Sequence, residues 1–405
     1  MAKLNFHQSW ENIFKAYNIL DRIAKEGYVT ISADEIKAVD GKEPRNLTKI
    51  DFREKLPHIM QEHDLSILAV KNGLYKIAKN DPFIDVAKEI QNEIEEIEVP
   101  KNLLTIDPFN IKSESGALDI AAISGMLTKV FEEEAKLSIR GRLRGDLDFS
   151  LGDTHYNVAG VQIEVDGGYE TSSAVHLIEA KIGYTNNINI RQLLYPQLYW
   201  EQHLQGKKSL KSYLFYLQGD IFRFIPYIYD GDKGYLEHKR ERVFRFKDPQ
   251  AKFSLYSIKV DQKSVDSSVP FPQADRFETI LTMLFLIAQE ESVTKEELSM
   301  NFDIVERQID YYLNVLKWLQ LAKESKGFFM LTPKGKKIAD LAFRQRVEAL
   351  AKIVFADPIC NRLLYNQEVD PKLFAVYNVN SQSTIKRRLR TIRSWIKYFQ
   401  SILES

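Results

Sequence analysis

Apolar and polar residues alternate from Val161 to Asp166, and a second apolar run from Val175 ends in Glu179-Ala-Lys181. Period-two alternation predicts half-buried strands, and Gly167-Gly168 between them predicts a turn or a bulge. Residues two apart in a strand share a face, so Glu179 and Lys181 stand together. Pairing of the two strands would bring Asp166 to them. The surrounding pattern predicts a helix near Ala117 to Ala135, a strand at Leu147 to Leu151 and a helix from about Ile190 to Leu204. Strands at Ser212 to Leu217 and Ile221 to Tyr229 follow. The order helix, three strands, helix, two strands defines an α/β unit over residues 104–265.

The flanks read differently. In residues 1–80, Trp10, Ile13, Phe14, Tyr17, Leu20 and Ile23 recur at helical spacing, and Tyr28 to Ile31 reads as a strand. Ser32 with Glu35 forms a capping box, a helical stretch covers Lys49 to Glu62, and Leu65 to Ile77 reads as a hairpin with Asn72-Gly73 at its tip. This predicts a winged-helix-like, DNA-contacting domain. Residues 81–103, rich in Glu93, Glu95, Glu96 and Glu98 and closed by Pro100, predict a charged helical connector. After a linker at Ser264 to Pro270, residues 272–345 carry a helix at Phe277 to Ala288 and a Thr294/Glu297 capping box. A helix capped by Asp303 runs to Leu321, and a strand at Phe328 to Leu331 leads into Thr332-Pro. That is the layout of a winged helix-turn-helix. Residues 346–405 predict a basic helical region, with Ser383 and Thr384 as candidate caps.

Composition narrows the class. The chain has 405 residues, 44% hydrophobic and 28% charged, enough for two to four globular domains. The 56 basic and 56 acidic residues cancel, which argues against indiscriminate polyanion binding but not against clustered charge. One cysteine, Cys360, excludes a disulfide framework or cysteine-rich zinc site within one chain. A reducing cytoplasm is expected. The first residues lack the apolar core of a signal peptide, and the apolar stretch Ile280 to Ala288 is far short of a membrane span.

Two carboxylates and an ammonium at one point suit metal-assisted phosphodiester hydrolysis, in which a divalent cation neutralises charge building on phosphate. Mg²⁺ keeps several waters and needs only one or two protein carboxylates. Asp166 and Glu179 would supply these, with the Ala180 carbonyl as a third oxygen. Lys181 would orient or deprotonate the attacking water, or stabilise the transition state, since a neighbouring cation disfavours its protonated form. Glu164, in register with Asp166, would support the metal or the lysine. Asp148 competes for the acid role. His155, His176 and His203 show no metal-ligand spacing.

Glu164-x-Asp166 followed by Glu179-x-Lys181 resembles the PD-(D/E)xK nucleases, although no proline precedes the aspartate. The resemblance implies a restriction-endonuclease-like α/β core, a mixed sheet flanked by helices, with metal and hydrolytic roles on Asp166, Glu179 and Lys181. Gln192 resembles the helical glutamine that some members place beside the site. Glu43-Pro-Arg45, Lys49, Leu56-Pro57, the Gln162-to-Glu170 segment, Ile178-Glu-Ala-Lys, Asn189-Ile-Arg-Gln-Leu-Leu-Tyr-Pro and Arg307-Gln-Ile-Asp-Tyr-Tyr together are similar to a family of type II restriction endonucleases. That similarity implies double-stranded DNA as substrate, a homodimer for a palindromic site, a cognate DNA methyltransferase as functional partner, and a prokaryotic cytoplasm.

Candidate DNA contacts lie on both flanks. Arg307, Gln308 and Tyr311 occupy the expected recognition helix, where Arg suits guanine and Gln suits adenine. Lys334, Lys336 and Lys337 fall where a wing would meet phosphate. Lys386, Arg387, Arg388, Arg390 and Arg393 form a basic run with no acid. Arg45, Lys49 and Arg53 recur at fourfold spacing, on one face if helical.

Overall fold

The computed structural model describes residues 6–404 except 88, 91, 184–185, 248–252, 262–264, 296 and 299–305, and excepting the side chains at 40, 306 and 307. Asp303 and the side chain of Arg307 therefore lie outside the described residues. The chain divides into two compact units, Met1–Ile97 with Ser113–Arg245, and Glu98–Lys112 with Phe246–Ser405. Among the described residues no helix is long and apolar enough to cross a membrane.

The first unit begins with α1 (Phe6–Ala16) and α2 (Ile19–Glu26), separated at Asn18 in left-handed conformation. β1 (Tyr28–Ser32) feeds α3 (Ala33–Asp40) through the capping box of Ser32 and Glu35. Short helices α4 (Pro44–Thr48) and α5 (His58–Glu62) precede the hairpin β2 (Leu65–Lys71) and β3 (Leu74–Lys79). β4 (Phe83–Asp85) and β5 (Ile94–Ile97) follow. Then come α6 (Glu114–Ile123), α7 (Met126–Phe131), the long strands β6 (Lys136–Leu151) and β7 (Thr154–Glu170), and β8 (Ala174–Ile182). β9 (Asn187–Asn189), α8 (Arg191–Leu204), β10 (Ser209–Gln218), β11 (Ile221–Tyr229), β12 (Gly234–Leu236) and β13 (Arg242–Phe246) complete it.

One mixed sheet organises these elements in the order β1-β3-β2-β7-β8-β10-β11-β13-β5, with β6 added on β7 and β12 on β11. β8 pairs parallel with β10 and antiparallel with β7. Alternation along β8 decides which helix covers which face. Leu177 packs with Val165, Trp200 and Leu204 under α8, whereas His176 points the other way and stacks on Phe131 of α7 at 3.8 Å.

Several expectations are corrected by long-range pairing. Of the turn or bulge expected at Gly167-Gly168, a bulge forms inside β7, at Asp166 and Gly167, and the turn is Thr171 to Ser173. Ile139 pairs with Gly168 and Gly141 with Val165, so β7 spends three residues where β6 spends two. A Cβ on Gly168 would meet that of Ile139 at 2.6 Å, which is why glycine is required there. The helix expected over Lys49 to Glu62 is broken, because the intervening backbone is bonded elsewhere. Asp51 O accepts from Asn189 N (3.2 Å), and Arg53 N donates to Asn187 Oδ1 (2.8 Å). Among its described residues, the 81–103 connector contains β4 and β5 and no helix. Its acids have cross-strand partners: Glu95 pairs with Arg242 and Glu96 with Arg245. The helix expected over Ala117 to Ala135 is divided at Gly125 (φ 79°).

The second unit carries α9 (Phe277–Glu290), β14 (Val293–Thr294), α10 (Glu306–Trp318), β15 (Ala322–Ser325), β16 (Phe328–Leu331), α11 (Pro333–Ala339), α12 (Phe343–Val354), α13 (Pro358–Leu364) and α14 (Gln382–Leu403). Its small sheet has the order β14-β16-β15. The Thr294/Glu297 capping box forms, Thr332 caps α11, and Ser381 stands at the start of α14 instead of Ser383 or Thr384. The expected linker is packed, with Val265 and Phe271 buried in a core built on Trp318, Trp395 and Phe277.

Candidate active site

The β7–β8 ladder runs from Glu170–Val175 to Gly167–Ile178, so Asp166 and Glu179 come next in line as it ends. Asp166 Oδ2 accepts from the Ala180 amide at 2.8 Å, and its side chain supplies the partner that the ladder no longer offers. The bulge at Asp166 and Gly167 re-aims this carboxylate toward β8, a recurrent use of bulges.

Glu179 is only 8% exposed. Its Oε1 accepts from Lys181 Nζ at 2.5 Å and from Gln192 Nε2, on the first turn of α8, at 2.7 Å. Lys181 Nζ also donates to the Ala180 carbonyl at 2.9 Å and lies 3.8 Å from Glu114 Oε1 at the start of α6. Two elements from opposite faces of the sheet thus meet at the end of β8. Burial, against the opposing charge of Lys181 and helped by Asp166, pushes the Glu179 carboxyl up to about 8. Burial also raises Glu114. Lys181 is largely desolvated too, but Glu179, Glu114 and Asp166 outweigh that and hold it above the ordinary lysine range. Without a cation Lys181 is therefore an ammonium and a donor, and the base role depends on an ion that would reverse this balance.

The donor set suits a hard cation. Asp166 Oδ1 and Glu179 Oε2 accept no hydrogen bond from the described residues. Gln192 Oε1 is buried beside them without a partner, a position that a water donor would satisfy. Among the described residues no group of three or more His, Cys, Asp or Glu is placed to hold a metal.

Glu164 is half exposed, pairs with Arg142 at 3.1 Å and acts on Glu114 through space. Asp148, the competing acid, lies elsewhere. It pairs with Asn157 and His155 in the distal part of the β6–β7 hairpin, nine residues of strand or about 30 Å from Asp166. His176 and His203 stack on Phe131 and Tyr199, away from any carboxylate set.

The expected DNA contacts are placed unevenly. Arg45 and Lys49 are exposed, and Lys49 is near enough for its charge to act on Glu114. Arg53 lies in a separate 3₁₀ turn, paired with Asp81 (2.8 Å) and Asp85 (2.6 Å), so the three do not share a helical face. Gln308 is exposed on α10, whereas Tyr311 packs partly against the core. Lys334, Lys336 and Lys337 lie on α11, beyond the β15–β16 hairpin whose tip is Lys326-Gly327. Lys334 is tied to the Leu319 carbonyl at 3.1 Å. On α14, Lys386, Arg387, Arg390 and Arg393 are exposed, but Arg388 is buried, and burial reinforced by Arg387 lowers it to about 10.

Sequence reasoning missed Glu114 and the arginines of β6. Glu114 follows the helix cap Ser113, a local signal of a helix start but not of what the carboxylate faces. Three family models match the chain, each described as a domain of unknown function: DUF6996 over residues 7–77, DUF6997 over 78–247 and DUF7226 over 279–404. The site described above falls within the second. No match to the chain is found among curated proteins or solved structures.

Proposed function

We propose that this protein is a Mg²⁺-dependent, sequence-specific double-stranded DNA endonuclease, with a PD-(D/E)xK-like core and a mode of action resembling type II restriction enzymes. The observation that carries the reading is the convergence of Asp166, Glu179, Lys181 and Gln192 at the end of one strand ladder, with two carboxylate oxygens and one amide oxygen left unbonded.

Asp166, Glu179 and the Ala180 carbonyl would hold the cation, which supplies charge neutralisation at phosphate and a more acidic water. Gln192 fixes the rotamer of Glu179 and offers Oε1 to a water proton. Lys181, kept charged by Glu114 and Glu179, donates to a phosphate oxygen or aligns the attacking water. The helix, strand and hairpin orders of residues 1–80 and 272–345 favour winged-helix-like reading domains, with Gln308 exposed for base contact. A homodimer and a methyltransferase of the same specificity complete the proposal.

The test is digestion of a defined plasmid by purified protein, with Mg²⁺ and with EDTA. Discrete fragments in Mg²⁺ alone are expected. Asp166→Ala and Lys181→Ala should each lose at least about a thousandfold in cleavage rate, the scale of several kcal/mol of transition-state stabilisation, while retaining duplex binding. Undiminished cleavage by either variant overturns the site. Cutting confined to junctions or flaps would favour a structure-selective nuclease instead.

A further inference from the structure

β6 carries Arg140, Arg142 and Arg144 at every second position, leading away from the site. Strand geometry puts them on one face at about 6.8 Å intervals. The intervening residues turn under α8: Leu143 and Leu147 pack in its core, and a Cβ on Gly145 would strike Tyr199. The arginine face is the opposite one, met by α6 at Arg140 and exposed at Arg142 and Arg144. Arg142 stands opposite Glu164 and Arg144 opposite Gln162, and all four are exposed.

The three arginines are held differently. Arg140 is anchored, donating to Asp119 at 2.9 Å and from Nε to the Asp166 carbonyl at 3.1 Å. It ties the row to the backbone of the metal-binding acid. Arg142 has only the solvent-exposed pair with Glu164, an interaction that contributes little in water. Arg144 is exposed and has no ion pair with a described residue. Further out Asp146, bonded to the Gly160 amide at 2.7 Å, and Asp148 reverse the sign of the face. The basic stretch is confined to the part of the hairpin next to the carboxylates.

We infer that the arginine face of β6 holds the backbone of the strand being cut, with Arg142 and Arg144 on the phosphates neighbouring the scissile one. Glu164 then acts as a stand-in that occupies Arg142 until a phosphate displaces it, which differs from the metal-supporting role expected of it. This rests on the nuclease reading and extends it to how the substrate is held. Charge complementarity and continuity with Asp166 both point to a nucleic-acid backbone.

The probe is a fluorescein-labelled 30-base-pair duplex, titrated by anisotropy in EDTA over a series of KCl concentrations. Each phosphate contact removed should lower the magnitude of the log K against log salt slope by about 0.9. The Arg142→Gln/Arg144→Gln variant is expected to lose about two units of slope relative to wild type, with its melting temperature unchanged. Glu164→Gln, which frees Arg142, is expected to bind several-fold tighter. An unchanged slope in the double variant, or weaker binding by Glu164→Gln, overturns the inference while wild-type plasmid cleavage leaves the nuclease reading standing. Wild-type protein that neither binds nor cuts DNA sinks that reading itself.

Discussion

The same sheet holds two ion pairs of opposite character, one fully buried and one nearly so. Arg223 and Glu241 are both fully buried. Nε and Nη2 of the guanidinium donate to Glu241 Oε2 at 3.1 and 2.8 Å, and Nη1 donates to the Ala87 carbonyl at 2.9 Å. The pair binds the 81–97 segment to β11 and β13. Lys181 and Glu179 are just as close, but three carboxylates crowd one ammonium and Gln192 Oε1 goes unpaired. A buried charge is tolerated when its partners complete it. The difference separates a pair whose donors and acceptors are matched from one in which carboxylates outnumber the ammonium.

The largest effect that would break this contrast is on folding. Arg223→Met removes the guanidinium that bonds the buried Glu241 carboxylate twice and should cost about 3–5 kcal/mol in urea unfolding, and adding Glu241→Leu should recover most of it. Metal-free Glu179→Gln should cost far less, because it relieves carboxylate crowding. Equal losses at Glu241→Gln and Glu179→Gln would erase the distinction.

His176 sharpens the comparison from the same strand. It too has an unpartnered ring nitrogen, Nδ1, but it is stacked between aromatic rings and serves packing. Burial, with Lys211 adding to it and Glu133 opposing, lowers it from 6.5 to about 4. The folded state therefore binds this proton less well than the unfolded chain. The contribution is fully present above pH 6.5 and is lost as pH falls toward 4, by about 3 kcal/mol. Chemical denaturation across that range should show the loss, and His176→Leu should flatten it. An identical slope in the variant would mean that some other group titrates.

The smallest expected effect is at Gln192. Gln192→Leu keeps the bulk but removes the donor to Glu179 and the orphaned acceptor. Loss of such an outer partner typically costs ten- to a hundredfold in metal affinity or activity. Mg²⁺ titration of cleavage should show the apparent metal affinity falling by that factor, and an unchanged midpoint would assign Gln192 to packing alone.

How much of this was legible in the linear chain depends on the distance over which each contact is made. The strand alternation at Val161 and Val175, the capping boxes at Ser32 and Thr294 and the helix carrying Gln192 are local patterns, and they fold as read. Glu114 was invisible because its relation to Lys181 spans sixty-seven residues of chain. The acids of 93–98 suggested a solvated helix because their partners, Arg242 and Arg245, are supplied by a strand about 150 positions later. Arg53 and Arg388 looked like free cations for the same reason: charge is local, but what neutralises or buries it is not. Asp148 and Asp166 looked like rivals because strand register, which sets them at different positions along the hairpin, is not a local signal.

The seam between β2 and β7 has a practical consequence. Lys71 pairs with Ala159, Lys76 donates to the His155 carbonyl, and Asn80 bonds Tyr156. The first eighty residues thus extend the central sheet instead of hanging from a tether. Cutting the gene at that family boundary should yield insoluble halves, because an apolar strand margin would be laid bare on each. Anyone re-engineering this scaffold would do better to exchange surface side chains than whole modules.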